Sequence, residues 1–229
     1  MVYHEICLIP ARGGSKGIRR KNLARVGNNS LLDRTILAAK NANVFGTIIV
    51  SSEDNEILDQ AKLMGVSTIT RSIRAALDDS TAADVVNDFL NSKFAQEALV
   101  SQIRLTYLQP TSPFRNSEHI LSALKVADKH ISGSCVSVCL VKSHPNKMVN
   151  ISESTIDSAI ELSSSIAKNR QSLPKLYIPN GAIYVFPLKR FVEVKDFPVI
   201  GSGFLKMNEK SSIDIDTEFD LILANILES

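Results

Sequence analysis

Short apolar runs alternate with amphipathic stretches along most of this chain, and that rhythm restricts the fold more than any other feature. Glu5-Ile6-Cys7-Leu8-Ile9 is a compact apolar run closed by Pro10, as expected for a parallel strand buried on both faces. Ser30 to Ala39 has helical spacing, with a Ser cap and an acid three positions on. A strand over Thr47 to Ser51, a helix over Asn55 to Met64 ended by Gly65, and a short strand over Val66 to Ile69 follow. The pattern then predicts a helix over Asp79 to Phe94, a strand over Ile103 to Leu108, a helix over Ser117 to His130 and a strand over Cys135 to Val141. Strand character returns at Gly181 to Phe186, and Thr217 to Leu227 closes the chain as a helix. Such alternation predicts an α/β fold: a mainly parallel, doubly wound, Rossmann-like sheet with helices on both faces and right-handed crossovers.

The stretch 142–179 breaks the rhythm, being rich in Ser, Asn, Lys and Pro. Long irregular segments in compact domains serve function or are ordered by a partner, so a flap, or an arm packing on a second subunit, is expected there. The 229 residues suit one large domain or one domain with a small insertion. A net charge of +2 argues against the broad basic face that nucleic acid needs and leaves small anions as the better ligands. Three cysteines, with Cys7 inside the first strand, fit a reducing compartment. Cys135 and Cys139 alternate onto one face without a second ligand pair, which argues against zinc. No signal peptide and no membrane-length apolar run is read, and the expected location is cytoplasmic.

Directly after the first strand comes Ile9-Pro10-Ala11-Arg12-Gly13-Gly14-Ser15-Lys16-Gly17-Ile18, followed by Lys21-Asn22. The glycines let backbone N–H groups turn toward an anion, and Arg12 and Lys16 supply fixed charge. The spacing is neither a Walker A sequence nor a dinucleotide fingerprint. A plain turn is the alternative, but a loop leaving the carboxyl end of a strand lies where open α/β sheets bind ligands.

Three further segments carry polar residues in suggestive settings. Ser212-Ile213-Asp214-Ile215-Asp216-Thr217 sets two carboxylates on one side of an extended run. They can clamp Mg²⁺, whose other ligands come from phosphates and water; alternatively this is a strand edge with Asp216 or Thr217 capping a helix. Leu108-Gln109-Pro110-Thr111-Ser112-Pro113-Phe114-Arg115 is a rigid polar loop on the same rim, able to present Gln109. Tyr177-Ile178-Pro179-Asn180-Gly181-Ala182-Ile183-Tyr184 contains an Asn-Gly turn that positions Tyr184, or a hairpin with a core tyrosine. Of the four histidines only His144 lies in the irregular segment, and none is assigned to catalysis.

With these segments in this order, the chain resembles the N-acylneuraminate cytidylyltransferases over nearly its whole length. Enzymes that activate Kdo share the fold but match the first loop less well. The resemblance implies a nucleotidyltransferase-type fold in which CTP meets Arg12, Gly13, Ser15, Lys16 and Asn22, with Arg71 and Ser80 nearer the base. It likewise implies that Gln109, Lys147, Arg170 and Tyr184 meet an acidic nine-carbon sugar, that Asp214 and Asp216 hold Mg²⁺, and that the chain forms a homodimer through the arm at about 142–179.

The implied reaction is attack of the sugar's anomeric hydroxyl on the α-phosphorus of CTP, releasing pyrophosphate. Arg12 and Lys16 would stabilise charge on the leaving group, and Asp216, or a metal-polarised hydroxyl near it, would take the anomeric proton. The neighbouring alternative is a nucleotidyltransferase for legionaminic or pseudaminic acid, with CTP or another nucleotide; Ser15-Lys16-Gly17 in the first loop and Gln109-Pro110-Thr111-Ser112-Pro113 at the end of the fourth strand favour sialic or legionaminic acid. A non-catalytic nucleotide-binding module is the alternative of a different class.

Overall fold

The computed structural model describes residues 3–15, 17–77, 79–96, 103–151, 156–158 and 170–229. In chain order the strands are β1 (His4–Pro10), β2 (Arg25–Val26), β3 (Asn29–Ser30), β4 (Thr47–Ser52), β5 (Ser67–Thr70), β6 (Ile103–Tyr107), β7 (Cys135–Leu140), β8 (Val149–Ile151), β9 (Ile156–Ser158), β10 (Tyr177–Pro187) and β11 (Gly203–Lys206). The helices are α1 (Leu31–Ala42), α2 (Asn55–Leu63), α3 (Ile73–Ala76), α4 (Ala82–Leu90), α5 (Lys93–Gln96), α6 (Ser117–Lys129), α7 (Leu188–Val194) and α8 (Glu218–Glu228).

Seven strands form the central sheet in the order β11-β7-β10-β6-β1-β4-β5. Parallel ladders join β1 to β4 and β6, β4 to β5, and β7 to β11; β10 alone runs against its neighbours. The unbroken apolar run of β1 is explained by burial on both sides. Cys7 and Ile9 pack with α1, α2 and α6 on one face, while Ile6 and Leu8 join Val86, Phe89, Phe186 and Phe191 on the other. Among the described residues, no helix is long and apolar enough to cross a membrane.

Capping chemistry places the helix starts. Ser30 and Asp33 form a reciprocal capping box at α1, and Thr81 with Asp84 does the same at α4. That second box corrects the expected helix over Asp79 to Phe94. Thr81 takes an extended conformation as the N-cap, so Asp79 and Ser80 stay in the preceding loop, and the chain breaks again before α5.

The irregular segment is also shorter than the sequence suggests, because β10 begins at Tyr177 and pairs with Leu140. Asn180-Gly181 is a bulge inside β10, not a hairpin turn: the register with β7 shifts between Pro179 and Tyr184, and Gly181 has φ +76°. Val149–Ile151 and Ile156–Ser158 form a small antiparallel ladder within the excursion. Several elements had no clear signal, among them β2, β3, α3, α7, which starts directly after Pro187, and the exposed edge strand β11.

Candidate functional site

The glycine loop leaves β1 at the carboxyl edge of the sheet and is pinned by its own polar groups. Asn22 Nδ2 donates to the Arg12 carbonyl at 2.8 Å, and Gly13 N–H donates to Glu53 Oε1 at 2.7 Å. Ser15 Oγ donates to the Ile18 carbonyl and accepts from Lys21 N–H at 3.3 Å. Gly17 is fixed by space: a Cβ there would stand 2.2 Å from the backbone oxygen of Asp216. The loop and the two-aspartate segment can approach only because this residue has no side chain.

Arg71, just past β5, donates from Nη2 to the Ser51 carbonyl at 2.8 Å and from Nε to Ser51 Oγ at 3.3 Å. Burial lowers its pKa, an effect opposed by the nearby Tyr107 and Glu53. Ser80 turns its hydroxyl toward the carbonyls of Leu77 and Ala75 at 2.7 and 2.8 Å. Its oxygen lone pairs remain available to an incoming donor.

The loop after β6 is stitched to two other segments. Ile215 N–H donates to the Thr111 carbonyl at 2.8 Å, while Arg115 Nη1 donates to the carbonyls of Gln109 and Ala182 at 2.8 and 3.3 Å. Gly181 allows close approach here, since a Cβ would lie 2.5 Å from Gln109 Oε1. Tyr184 pairs in register with Tyr107, their ring centroids 6.4 Å apart and edge-on. Burial raises the Tyr184 pKa, and the charge of Asp214 adds to the effect.

Ile215 is buried with Ile18, Val26, Leu31 and Ala224, which leaves Asp214 and Asp216 on the opposite side of the extended segment. Asp216 accepts from Lys21 Nζ at 2.8 Å, with 68% of its side chain exposed. Asp214 is open to solvent, yet the surrounding protein strips enough hydration to raise its pKa, and Asp216 raises it further. A hydrogen bond with the Thr111 side chain and the charge of Lys21 oppose that shift. The capping alternative is also realised, but by Thr217, whose hydroxyl accepts from Asp220 N–H at the start of α8. The aspartates are thereby left for other work.

A cleft of about 210 Å³ opens between the first loop, Arg71, Ser80 and the loop after β6, and Gly13, Ser15, Tyr184, Asp214 and Asp216 do not line it. Of the residues picked out from the sequence, it brings together Arg12, Asn22, Arg71, Ser80 and Gln109. It adds Lys21, Tyr107 and Thr111, which sequence reasoning had not chosen. Lys21 was visible beside Asn22, but nothing linear pairs it with Asp216, 195 residues away. Glu53, which does not line the cleft but holds the Gly13 N–H, was missed as well; its place just after β4 was the available signal.

Lys147 ends the short 3₁₀ turn Pro145–Lys147, is exposed, and does not line the cleft. Lys16 and the side chain of Arg170 lie outside the described residues. His144 is buried, with Nε2 3.2 Å from the Pro174 carbonyl and Nδ1 accepting from Asn146 N–H, and so pins the excursion. Among the described residues, no group of three or more His, Cys, Asp or Glu side chains is arranged around one point. Two adjacent carboxylates with hard oxygens, already attracting the ammonium of Lys21, nevertheless suit Mg²⁺, which needs only one or two protein carboxylates beside a phosphate ligand.

Comparison with known proteins gives the family and the fold. A family profile described as "Cytidylyltransferase" matches residues 6–171. An N-acylneuraminate cytidylyltransferase of Streptococcus agalactiae serotype V is 32% identical over 220 residues, 95% of this chain and 51% of that protein. The chain therefore spans about half the length of that relative. A CMP-N,N'-diacetyllegionaminic acid synthase of Legionella pneumophila is 32% identical over 97% of this chain and 95% of its own. In structure, a CMP:2-keto-3-deoxy-manno-octonic acid synthetase complexed with CTP superimposes with a TM-score of 0.68 over 97% of each chain, at 12% identity. This last likeness concerns the fold.

Proposed function

The chain belongs to the cytidylyltransferase family, and from that premise we propose that it activates a nine-carbon acidic sugar with CTP, releasing pyrophosphate and forming the CMP-sugar. The observation that carries this reading is the convergence of Arg12, Asn22, Arg71, Ser80 and Gln109, from four separate segments, on one cleft. The printed activities of the relatives divide between N-acylneuraminate and diacetyllegionaminate. Both are within the proposal.

In this reading Arg12, Lys16 and Lys21 attract the triphosphate, while Gly13, Ser15 and Asn22 shape the loop around it. Asn22 acts through the Arg12 carbonyl that it holds. Arg71 and Ser80 serve the nucleoside, where a buried guanidinium and hydroxyl lone pairs can be matched by polar groups of the base or ribose. Gln109 and Tyr184 serve the acid sugar, with Lys147 and Arg170 joining from the excursion. Asp214 and Asp216 are the residues that would hold Mg²⁺. When bound, that ion supplies charge neutralisation at the phosphates. Asp216 accepts the proton of the anomeric hydroxyl, held in place by Lys21. Arg12 and Lys16 then stabilise the charge that develops on the departing pyrophosphate.

The protein acts as a homodimer through the excursion. Leu140, Met148, Tyr177 and Ile178 expose apolar surface at its base, as an interface between copies would require. Cytoplasmic residence is consistent with free thiols at Cys7, Cys135 and Cys139. Pyrophosphate release is the test, with Mg²⁺, CTP and N-acetylneuraminate, legionaminate, pseudaminate or Kdo in parallel. Release with a nine-carbon acid is expected. CTP binding with silence for every acid would contradict the reading and favour a nucleotide-binding module.

A further inference from the structure

Arg115 lies below the loop that carries Gln109 and does not itself line the cleft. Only 3% of it is exposed. Its described hydrogen bonds run to two carbonyls, those of Gln109 and Ala182, and its Nε is buried without a partner. The titratable groups it interacts with are Cys7, a thiol kept protonated by burial, and His119, whose pKa it helps to lower; among the described residues no carboxylate pairs with it. Burial lowers the Arg115 pKa to about 10, which leaves the guanidinium charged at neutral pH.

A buried cation facing only carbonyls is costly, because dipoles replace its hydration incompletely and no counter-ion offsets the loss. A simple strap between two loops could have used a neutral donor. The charge must therefore be weighed by where it acts. Both acceptors belong to segments assigned to the sugar: Gln109 opens the rim loop, and Ala182 follows the bulge that lets Gln109 pack on Gly181. The surroundings are protein rather than water, so the field of Arg115 reaches that loop with little screening.

We propose that Arg115 is a positioning residue for the acceptor half of the cleft, strapping Gln109 to the β10 bulge and supplying an uncompensated positive charge that favours a carboxylate-bearing acceptor over a neutral one. The inference rests on the functional reading above and extends it to a residue that touches neither substrate.

The test is steady-state kinetics on full-length wild type, Arg115→Gln and Arg115→Lys, varying CTP and the acid separately. Gln deletes the charge and is too short to reach the Gln109 carbonyl; its KM for the acid should rise about tenfold, with the KM for CTP within about twofold of wild type. Lys should restore the acid KM to within about threefold. An Arg115→Gln variant that moves both KM values together, or neither, or a Lys variant no better than Gln, overturns the proposal.

If Arg115→Gln does not fold, wild type alone decides. Its preference for the free acid over the acid's methyl ester should survive added salt within about twofold, since a buried charge is screened far less than an exposed one. A preference that collapses on adding salt would assign the selectivity to surface cations and overturn the proposal. Wild type that releases no pyrophosphate with any acid overturns the functional reading and this inference with it; turnover without an acid-specific effect of Arg115 overturns this inference alone.

Discussion

The two ends of the central sheet treat a buried arginine in opposite ways. At the amino end, Arg104 is 4% exposed and bonds Glu5 at 2.6 Å and Asp128 at 2.7 Å, with Tyr3 stacked 4.9 Å away. At the carboxyl end, Arg71 and Arg115 are buried to the same degree, at 5% and 3%, yet their described hydrogen bonds go to carbonyls and a serine hydroxyl. The pKa shifts follow suit. Burial lowers the pKa of all three, but Glu5 and Asp128 reverse the effect at Arg104, whereas Arg71 and Arg115 remain lowered. Equal burial with unequal pairing separates an arginine paired with carboxylates inside the fold from two that no carboxylate pairs among the described residues, and these two are the ones proposed above to serve the ligands.

The carboxylates divide along the same line, and the largest expected effect lies there. Asp214 has a raised pKa without a bonded cation in the described structure, so the folded protein holds its proton more tightly than the unfolded chain does. The resulting stabilisation is complete below the ordinary aspartate pKa and is lost as pH rises through the raised value. Asp214→Asn should therefore lower turnover about 10³-fold while raising the melting temperature at neutral pH, an advantage that fades in acid. Melting curves across pH, beside pyrophosphate release, check both parts.

Arg104→Met should do the reverse. It strands Glu5 in a site whose burial already raises its pKa, and should cost about 3 kcal/mol in denaturant titration with kcat/KM nearly unchanged.

Arg71→Met should lower kcat/KM for CTP about 100-fold, because the loss falls on the ligand and no protein carboxylate is stranded. A loss in kcat alone, with CTP affinity intact, would separate Arg71 from nucleotide binding.

The smallest effect sharpens the geometry of the cleft. Gly17→Ala must displace the Asp216 backbone, and should reduce kcat/KM about tenfold and lower the melting temperature as well. Equal activity in this variant would mean that the contact between the first loop and the aspartate segment does not matter.

What the sequence revealed was local in origin. The βα rhythm, the Ser30 and Asp33 cap, and the glycine loop at the end of β1 depend on neighbouring residues and were readable. The two-aspartate run was readable too, though not the contact that gives it meaning: Gly17 accommodates it, Lys21 bonds it, and Thr111 ties it to another loop. Thr81 shortened the expected third helix because a hydroxyl that can cap competes with helix continuation. Asn180-Gly181 carries the same turn signal in a hairpin as in a bulge, and only pairing with β7 distinguishes them. Edge strand β11 lacked a legible pattern because Phe204 is exposed while Gly203 is buried, the inverse of what hydrophobicity suggests.

The measurement closest to the central claim is the melting shift induced by CTP with Mg²⁺ in wild type, Arg71→Met and Arg104→Met. The account predicts that Arg104→Met melts well below wild type yet gains the same increment from CTP, whereas Arg71→Met melts near wild type and gains almost none. A low-melting Arg71→Met that keeps its full increment, or an Arg104→Met that loses it, would contradict the division between structural and ligand-directed charge.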